Sequence, residues 1–512
     1  MNGCRPFFIF TFSPFHLFTQ MEHFGLLSLI PPVIAIILAI WTRQVFLSLL
    51  MGIWLGWIVI SGGNLLTGTF ATVQGLVDVF KDPGNTRTIM FCALVGALIL
   101  FVQKSGGVEG YIRVVNGWLE KLAKNDPKRE RLWAQLLAWL TGMIVFVETS
   151  ISLLTVGTLY RPLFDRLGIS REKLAYLADS TSAPTSIIIP FNGWGAFIMG
   201  LLAANEFAHP FSAMFSAMVY NFYPFLAILL VLIVILTGWN LGPMRKAEKR
   251  VQETGALLAE GSEAMVAEDL IEVEVQKGVT PRAFNMVIPI AVMVLMMPVV
   301  LAYTGWAATN EGDGFGERLF MAIGQGSGST AVLMAVLFAI FVSMVLYRAQ
   351  RIFKVKEMID LTLKGISSLM PLALLMLLAF AISGVCKELK TGMYVAEITR
   401  SWLSPGLAPM LVFVVSAFIA FATGTSWGTF AIMLGIAIPM ARELDANVYM
   451  VIAAVMSGGV FGDHCSPISD TTILASMSSA TDHIDHVRTQ LPYALLAGGV
   501  AALGFLGAGL FL

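Results

Sequence analysis

Residues 461–476 read FGDHCSPISDTTILAS and bring together two aspartates, a histidine, a cysteine, three serines and two threonines around one proline. The flanks, YMVIAAVMSGGV before and YALLAGGVAALGF after, are apolar. Side chains of these types in such surroundings serve as oxygen ligands for a hard cation or as proton carriers. Three further polar islands interrupt apolar runs: FVETSIS at 146–152, ADSTSAPTS at 178–186 and FATGTSWG at 421–428.

The carboxylates define the chemistry. Asp179 is expected at the C-terminal end of a half-helix EKLAYLA, and Asp463 at the end of VYMVIAAVMSGGV. A helix C-terminus is negative, so an anion there requires a proton or a metal cation beside it. Asp470 opens the next half-helix and is either its N-cap or a ligand. Glu148 is a candidate proton or cation carrier, its alternative role being a salt bridge to an arginine. A hydroxyl set suited to Na+ accompanies them: Thr149, Ser150, Ser180, Ser182, Thr423, Thr425, Ser426, Ser466, Ser469 and Thr471. His464 either relays protons or hydrogen-bonds the helix break. The metal expectation is Na+ at Asp463, Asp179 and Glu148. DHIDHV (482–487) contains His483-x-x-His486 but reads as a solvated loop. Cys465 reads as a small packing residue, and the four cysteines show no zinc or disulfide spacing.

The elements that must position these groups are membrane helices. The chain of 512 residues is 57% hydrophobic and 13% charged, with a mean hydropathy of +0.79. That is about half the charge of a soluble domain, and the expected fold class is an all-α polytopic membrane protein. A net charge of −1 argues against a nucleic-acid partner. Residues 1–23 form an N-terminal extension that makes a poor signal peptide, and either Met1 or Met21 can serve as the start. Apolar segments fill 24–240 and 284–512, separated by a charged linker at 241–283.

Landmarks return in the same order in both parts. LVDVF (76–80) answers MIDLT (358–362), and KSGGVEGYIRVVNGWL (104–119) answers KTGMYVAEITRSWL (390–403). FVETSIS answers FATGTSWG, and ADSTSAPTS answers GDHCSPIS. Segments 131–160 and 408–440 each carry a polar break, and half of either covers only about 22 Å of a roughly 30 Å hydrocarbon core. They therefore read as re-entrant hairpins, the alternative being one long tilted helix. Each half then has about five spans, and the odd number inverts the second half relative to the first. The basic loops 104–131, 161–173 and 347–364 and the linker fall on the cytoplasmic side, with both termini outside. The exception is 387–400, which is basic but falls outside. Unpaired backbone at mid-membrane is tolerated only around a shared polar cavity. The tips Thr149/Ser150 and Thr425/Ser426 are accordingly expected beside the breaks at Asp179 and Asp463.

GDHCSPISDTTILAS followed by DHIDHVRTQLPYAL closely resembles the C-terminal signature of the NhaC-type Na+/H+ antiporter family, a branch of the ion transporter superfamily. FVETSIS and LADSTSAPTS look like its first-half elements, and the resemblance runs over most of 24–512. It implies inverted repeats, paired hairpins, broken helices and a homodimer with an elevator-like transport domain in a bacterial-type inner membrane. It also implies exchange of Na+ for H+, with relatives that exchange organic acids or other metabolites. The competing expectation is a Na+- or H+-coupled exchanger or symporter of a small organic acid or amino acid. No buried arginine accompanies the clusters, which disfavours an anionic substrate. No cofactor and no enzymatic activity are expected, and HExxH is absent.

Overall fold

A computed structural model describes residues 24–511 apart from 43, 112, 115–116, 118–125, 147–148, 265–278, 310–313 and 402. The described residues are mostly helical, with no β-strand among them. Among the described residues eight helices are long and apolar enough to cross a membrane, and a ninth span arises if the bent pair Arg171–Ile188 and Gly193–Ala204 is counted as one. Val45–Ile60 is apolar but has only 16 residues. Large apolar side chains such as Leu295, Phe341 and Leu503 face outward, as the solvent of a multi-pass membrane protein requires.

Two groups of helices can be distinguished. The outer group contains Val45–Ile60, Pro83–Lys104, Phe284–Gly305, Gly328–Ala349 and Val355–Glu388. Pro83–Lys104 and Val355–Glu388 pack along much of their length, because Gly96 and Gly365 let the backbones touch. A Cβ on Gly96 would lie 2.1 Å from the Gly365 carbonyl oxygen.

The inner group begins with a first hairpin, Pro127–Ile144 and Thr149–Arg166. Asp126 caps the first arm by accepting from Lys128 N and Arg129 N, with Pro127 in the first turn. The arms run antiparallel. Arg166 pairs with Glu130 at the open end, Thr141 and Tyr160 share a hydrogen bond of 2.8 Å, and Ser152 donates to the Gly142 carbonyl at 3.0 Å. A first broken helix follows, Arg171–Ile188 and Gly193–Ala204, capped by Ser170 and Asn192. The second hairpin is Ala408–Thr423 and Ser426–Glu443, and the second broken helix is Val448–Cys465 and Asp470–Ser479. Phe222–Thr237 and His483–Phe511 pack against both broken helices.

Both breaks have the same local cause. A residue before proline is excluded from the α region. Ile189 before Pro190 and Ser466 before Pro467 are both extended, at ψ 112° and 128°. Each ends a helix of 18 residues. Pro184 lies inside its helix and does not break it.

Where the charged linker was expected, the chain first forms the helix Gly242–Thr254, with Met244, Ala247, Glu248 and Val251 buried. Glu248 accepts from Ser170 N and Ser170 Oγ, both at 2.8 Å, and pairs with Arg131 at 3.3 Å. Arg250 pairs with the buried Glu172 at 2.7 Å. This helix is thus fastened to the base of the first hairpin and the start of the first broken helix.

The inner group meets the outer one across glycines. Gly200 faces Phe380, Gly328 faces Met199, and Gly428 faces Val45; a Cβ on any of them would lie 2.8–2.9 Å from its neighbour.

Candidate functional site

The second hairpin and second break meet as expected. Gly424 ends the first arm in the left-handed conformation at φ 68°, and Thr425 is the N-cap of the next. This sharp turn aims Ser426 Oγ at Asp463 Oδ2, 2.9 Å away, while Ser466 Oγ donates to the Phe421 carbonyl at 2.8 Å. Asp463 lies in the last turn of its helix and is 2% exposed, and its Oδ1 has no hydrogen-bond partner among the described residues. Asp470 stands in the first turn of the next half-helix, whose N-cap is Ser469. Its Oδ1 accepts from Thr471 N at 2.9 Å. Ser469 and Thr471 share a hydrogen bond of 2.9 Å, and the Thr423 hydroxyl folds back on the Ile419 carbonyl.

At the first hairpin the expectation needs correction. Glu148 lies outside the described residues. Thr149 receives a hydrogen bond from Trp194 Nε1 at 2.9 Å and lies 3.5 Å from Ser186 Oγ. Asn192 Nδ2 donates to the Phe146 carbonyl at 3.1 Å. The tip therefore meets the break at 189–192. Asp179 is not at a helix C-terminus: its helix continues to Ile188, which puts it about 10 Å along the axis from Ser186. The residue that stands before the Pro190 break as Asp463 stands before Pro467 is Ser186. Ser150 is helical, and Ser182 Oγ donates to the Asp179 carbonyl at 3.1 Å.

Asp179 instead anchors a second polar centre, formed by four helices. It is fully buried. Gln490 Nε2 donates to its Oδ2 at 2.7 Å and to the His464 carbonyl at 2.7 Å. His486 Nε2 stands 3.5 Å and His464 Nε2 3.8 Å from the same Oδ2. His464 Nε2 also lies 3.1 Å from Ser180 Oγ, and its Nδ1 lies 2.6 Å from the Tyr223 hydroxyl. Asp179 Oδ1, both His486 nitrogens and Gln490 Oε1 lack hydrogen-bond partners among the described residues.

Two members of this centre, Tyr223 and Gln490, are not singled out by the sequence, and a third, His486, reads there as part of a solvated loop. His483-x-x-His486 is no solvated loop. His483 lies 2.6 Å from the Pro467 carbonyl, and His486 is fully buried. The available signal was the spacing of His486, Gln490 and Tyr493, which places all three on one helix face. Cys465 is buried, in keeping with a packing role. Among the described residues no group of three or more His, Cys, Asp and Glu side chains is arranged to hold a metal ion, so hydroxyls and the carbonyls freed at a break would have to contribute.

A multi-pass bundle with ionisable groups buried beside interrupted helices defines a membrane transporter of the secondary class. A family model described as the Na+/H+ antiporter family matches residues 194–510. The chain belongs to the Na+/H+ antiporter family. It is 32% identical over 496 residues to an uncharacterized protein of Haemophilus influenzae, covering 94% of this chain and 90% of that one. It is 33% identical over 128 residues to the malate-2H(+)/Na(+)-lactate antiporter of Bacillus subtilis, covering 22% and 27% of the two chains. The solved structure of Neisseria gonorrhoeae MtrF is 14% identical, with 86% of this chain and 84% of that one covered at a TM-score of 0.49.

Proposed function

We propose that the protein exchanges Na+ for H+ across a bacterial-type cytoplasmic membrane by alternating access, with the inner helix group moving as an elevator. Asp463 carries this reading. It is buried at the negative end of its helix, with one oxygen held by Ser426 and the other free of any partner among the described residues. Such a carboxylate is stable only when neutralised. A proton and a sodium ion both neutralise it, and each excludes the other. Ser426, Asp470 and the carbonyls freed at the break supply hard oxygen ligands for the sodium ion. Asp179 and Glu148 are the further exchange groups. The two halves are inverted repeats, for which the matching places of Pro190 and Pro467 are the best support, and two copies of the chain form a dimer. Transport needs no cofactor and involves no catalysis.

The second reading is exchange of a small organic acid or amino acid coupled to Na+ or H+. It draws on the similarity to a protein named as a malate and lactate antiporter. One experiment separates the two. Purified protein is reconstituted in liposomes containing a pH-sensitive dye, and a Na+ gradient is applied with and without a panel of carboxylates and amino acids. Proton movement driven by Na+ alone is the expected result. Movement only in the presence of a labelled organic solute, which is itself taken up, establishes the second reading and removes the first.

A further inference from the structure

The first broken helix carries the chain from the end fastened by Glu248 to Asn205 at the opposite end of the bundle. There a cavity of about 220 Å³ opens between the base of the second hairpin and the end of Val355–Glu388. Its charged lining consists of Lys387, Lys390, Arg442, Glu206 and Glu443. Three basic groups against two acidic ones leave one positive charge.

These charges are not equally free. Lys387 pairs with Glu206, and that contact holds the Glu206 carboxyl below the ordinary carboxylate range, so this carboxylate is already engaged. Arg442 is held in place by the Asn205 carbonyl, 3.0 Å from its Nη2, and by the Phe207 ring, 4.9 Å from its guanidinium carbon. Lys390 has no ion-pair partner among the described residues. Its backbone is left-handed at φ 51°, a strain that a non-glycine residue carries only when the surroundings impose it. The volume is below the roughly 300 Å³ at which drug-sized pockets begin. Lys387 and Lys390 also belong to the one basic stretch, 387–400, whose placement runs against the distribution of positive charge in the other loops.

We propose that this cavity is a binding site for a small monoanionic carboxylate, separate from the Asp463 centre. The ligand's carboxylate pairs with Lys390 and reaches the guanidinium of Arg442, which its two contacts pre-orient. Since the lining comes from both the outer and inner helix groups, an occupant bridges them.

The test measures binding of radiolabelled lactate and acetate to the purified full-length protein in lipid nanodiscs by equilibrium dialysis. Saturable lactate binding is expected in the wild-type protein and in Asp463→Asn. Lys390→Asn, which suits a left-handed backbone, should weaken it about 10-fold or more, and Lys390→Arg should restore most of it. A wild-type size-exclusion profile for each variant establishes that the effect is not unfolding. Failure of both carboxylates to bind would overturn the proposal, as would lactate binding unchanged by Lys390→Asn or binding lost in Asp463→Asn alone. Preferential binding of inorganic phosphate would overturn the assigned ligand class. Na+-driven proton movement without lactate is measured on the same Lys390→Asn protein and should be unchanged, so this site and the exchange reading fail independently.

Discussion

Asp463 and Gln490 bear different burdens, and their replacement separates ion chemistry from packing. Asp463→Asn removes a buried negative charge at a helix C-terminus while preserving shape and the Ser426 contact. The variant should fold and reach the membrane at wild-type levels, yet Na+-driven proton movement should be lost, because an amide cannot release a proton to admit a cation. Dye-loaded proteoliposomes assayed at several pH values check this, and normal exchange would reduce Asp463 to a structural residue. Gln490→Leu acts differently. It leaves both Asp179 Oδ2 and the His464 carbonyl without the amide that now serves them at 2.7 Å. An orphaned buried acceptor costs about 1–3 kcal/mol, so a clear fall in unfolding temperature is expected in detergent. An unchanged melting curve would mean that other groups or water already serve those oxygens.

At the scale of elements, the geometry depends on where helices stop. Gly424 is the sharpest case. Its φ is 68°, and a Cβ would stand 2.7 Å from the Ile468 carbonyl oxygen. Gly424→Ala should therefore strain the backbone by about 1–2 kcal/mol and push the second hairpin's tip away from the break. The expected outcome is a raised KM for Na+ with the protein still folded; wild-type kinetics would show that the tip tolerates the displacement. The same elements explain what the sequence revealed. The second break was legible because Asp463, Pro467 and the serines lie within a few residues of the interruption. The first is harder to place, because the likeness of ADSTSAPTS to GDHCSPIS sets Pro184 against Pro467 and so pairs Asp179 with Asp463. Pro184 sits inside a helix, and the real signal was Pro190 followed by the cap Asn192 and Gly193. The Asp179 centre was illegible for another reason. Asp179, Tyr223, His464 and Gln490 come from four helices far apart in sequence, and only packing brings them together.

For the whole molecule, the fastening at Glu248 carries an orientation. Arg131, Arg166, Arg171, Lys173 and Arg250 gather at the same end as the helix Gly242–Thr254, and clustered positive charge favours the cytoplasmic side. Single cysteines replacing Glu253 and Glu317, in a chain freed of its own cysteines, should be reached by a membrane-impermeant maleimide from opposite faces. Glu253 should label only in inverted vesicles and Glu317 only in intact cells. Labelling of both from one face would dismantle the topology and the inverted halves with it.

The glycines between the two helix groups have a mechanical consequence. Knobs seated in holes act as teeth, and teeth must disengage before one body can slide past another. At Gly200, Gly328 and Gly428 one side of each crossing has no tooth, so the seam resembles a plain bearing more than a gear. Displacement along it exchanges one set of dispersion contacts for another, with only the facing side chains of Phe380, Met199 and Val45 to clear at these crossings. Gly200→Val would fit such a bearing with a catch against Phe380, which already lies within 2.9 Å of the missing Cβ. Turnover should slow while equilibrium Na+ binding persists, and equal turnover in the variant would mean that travel does not follow this seam.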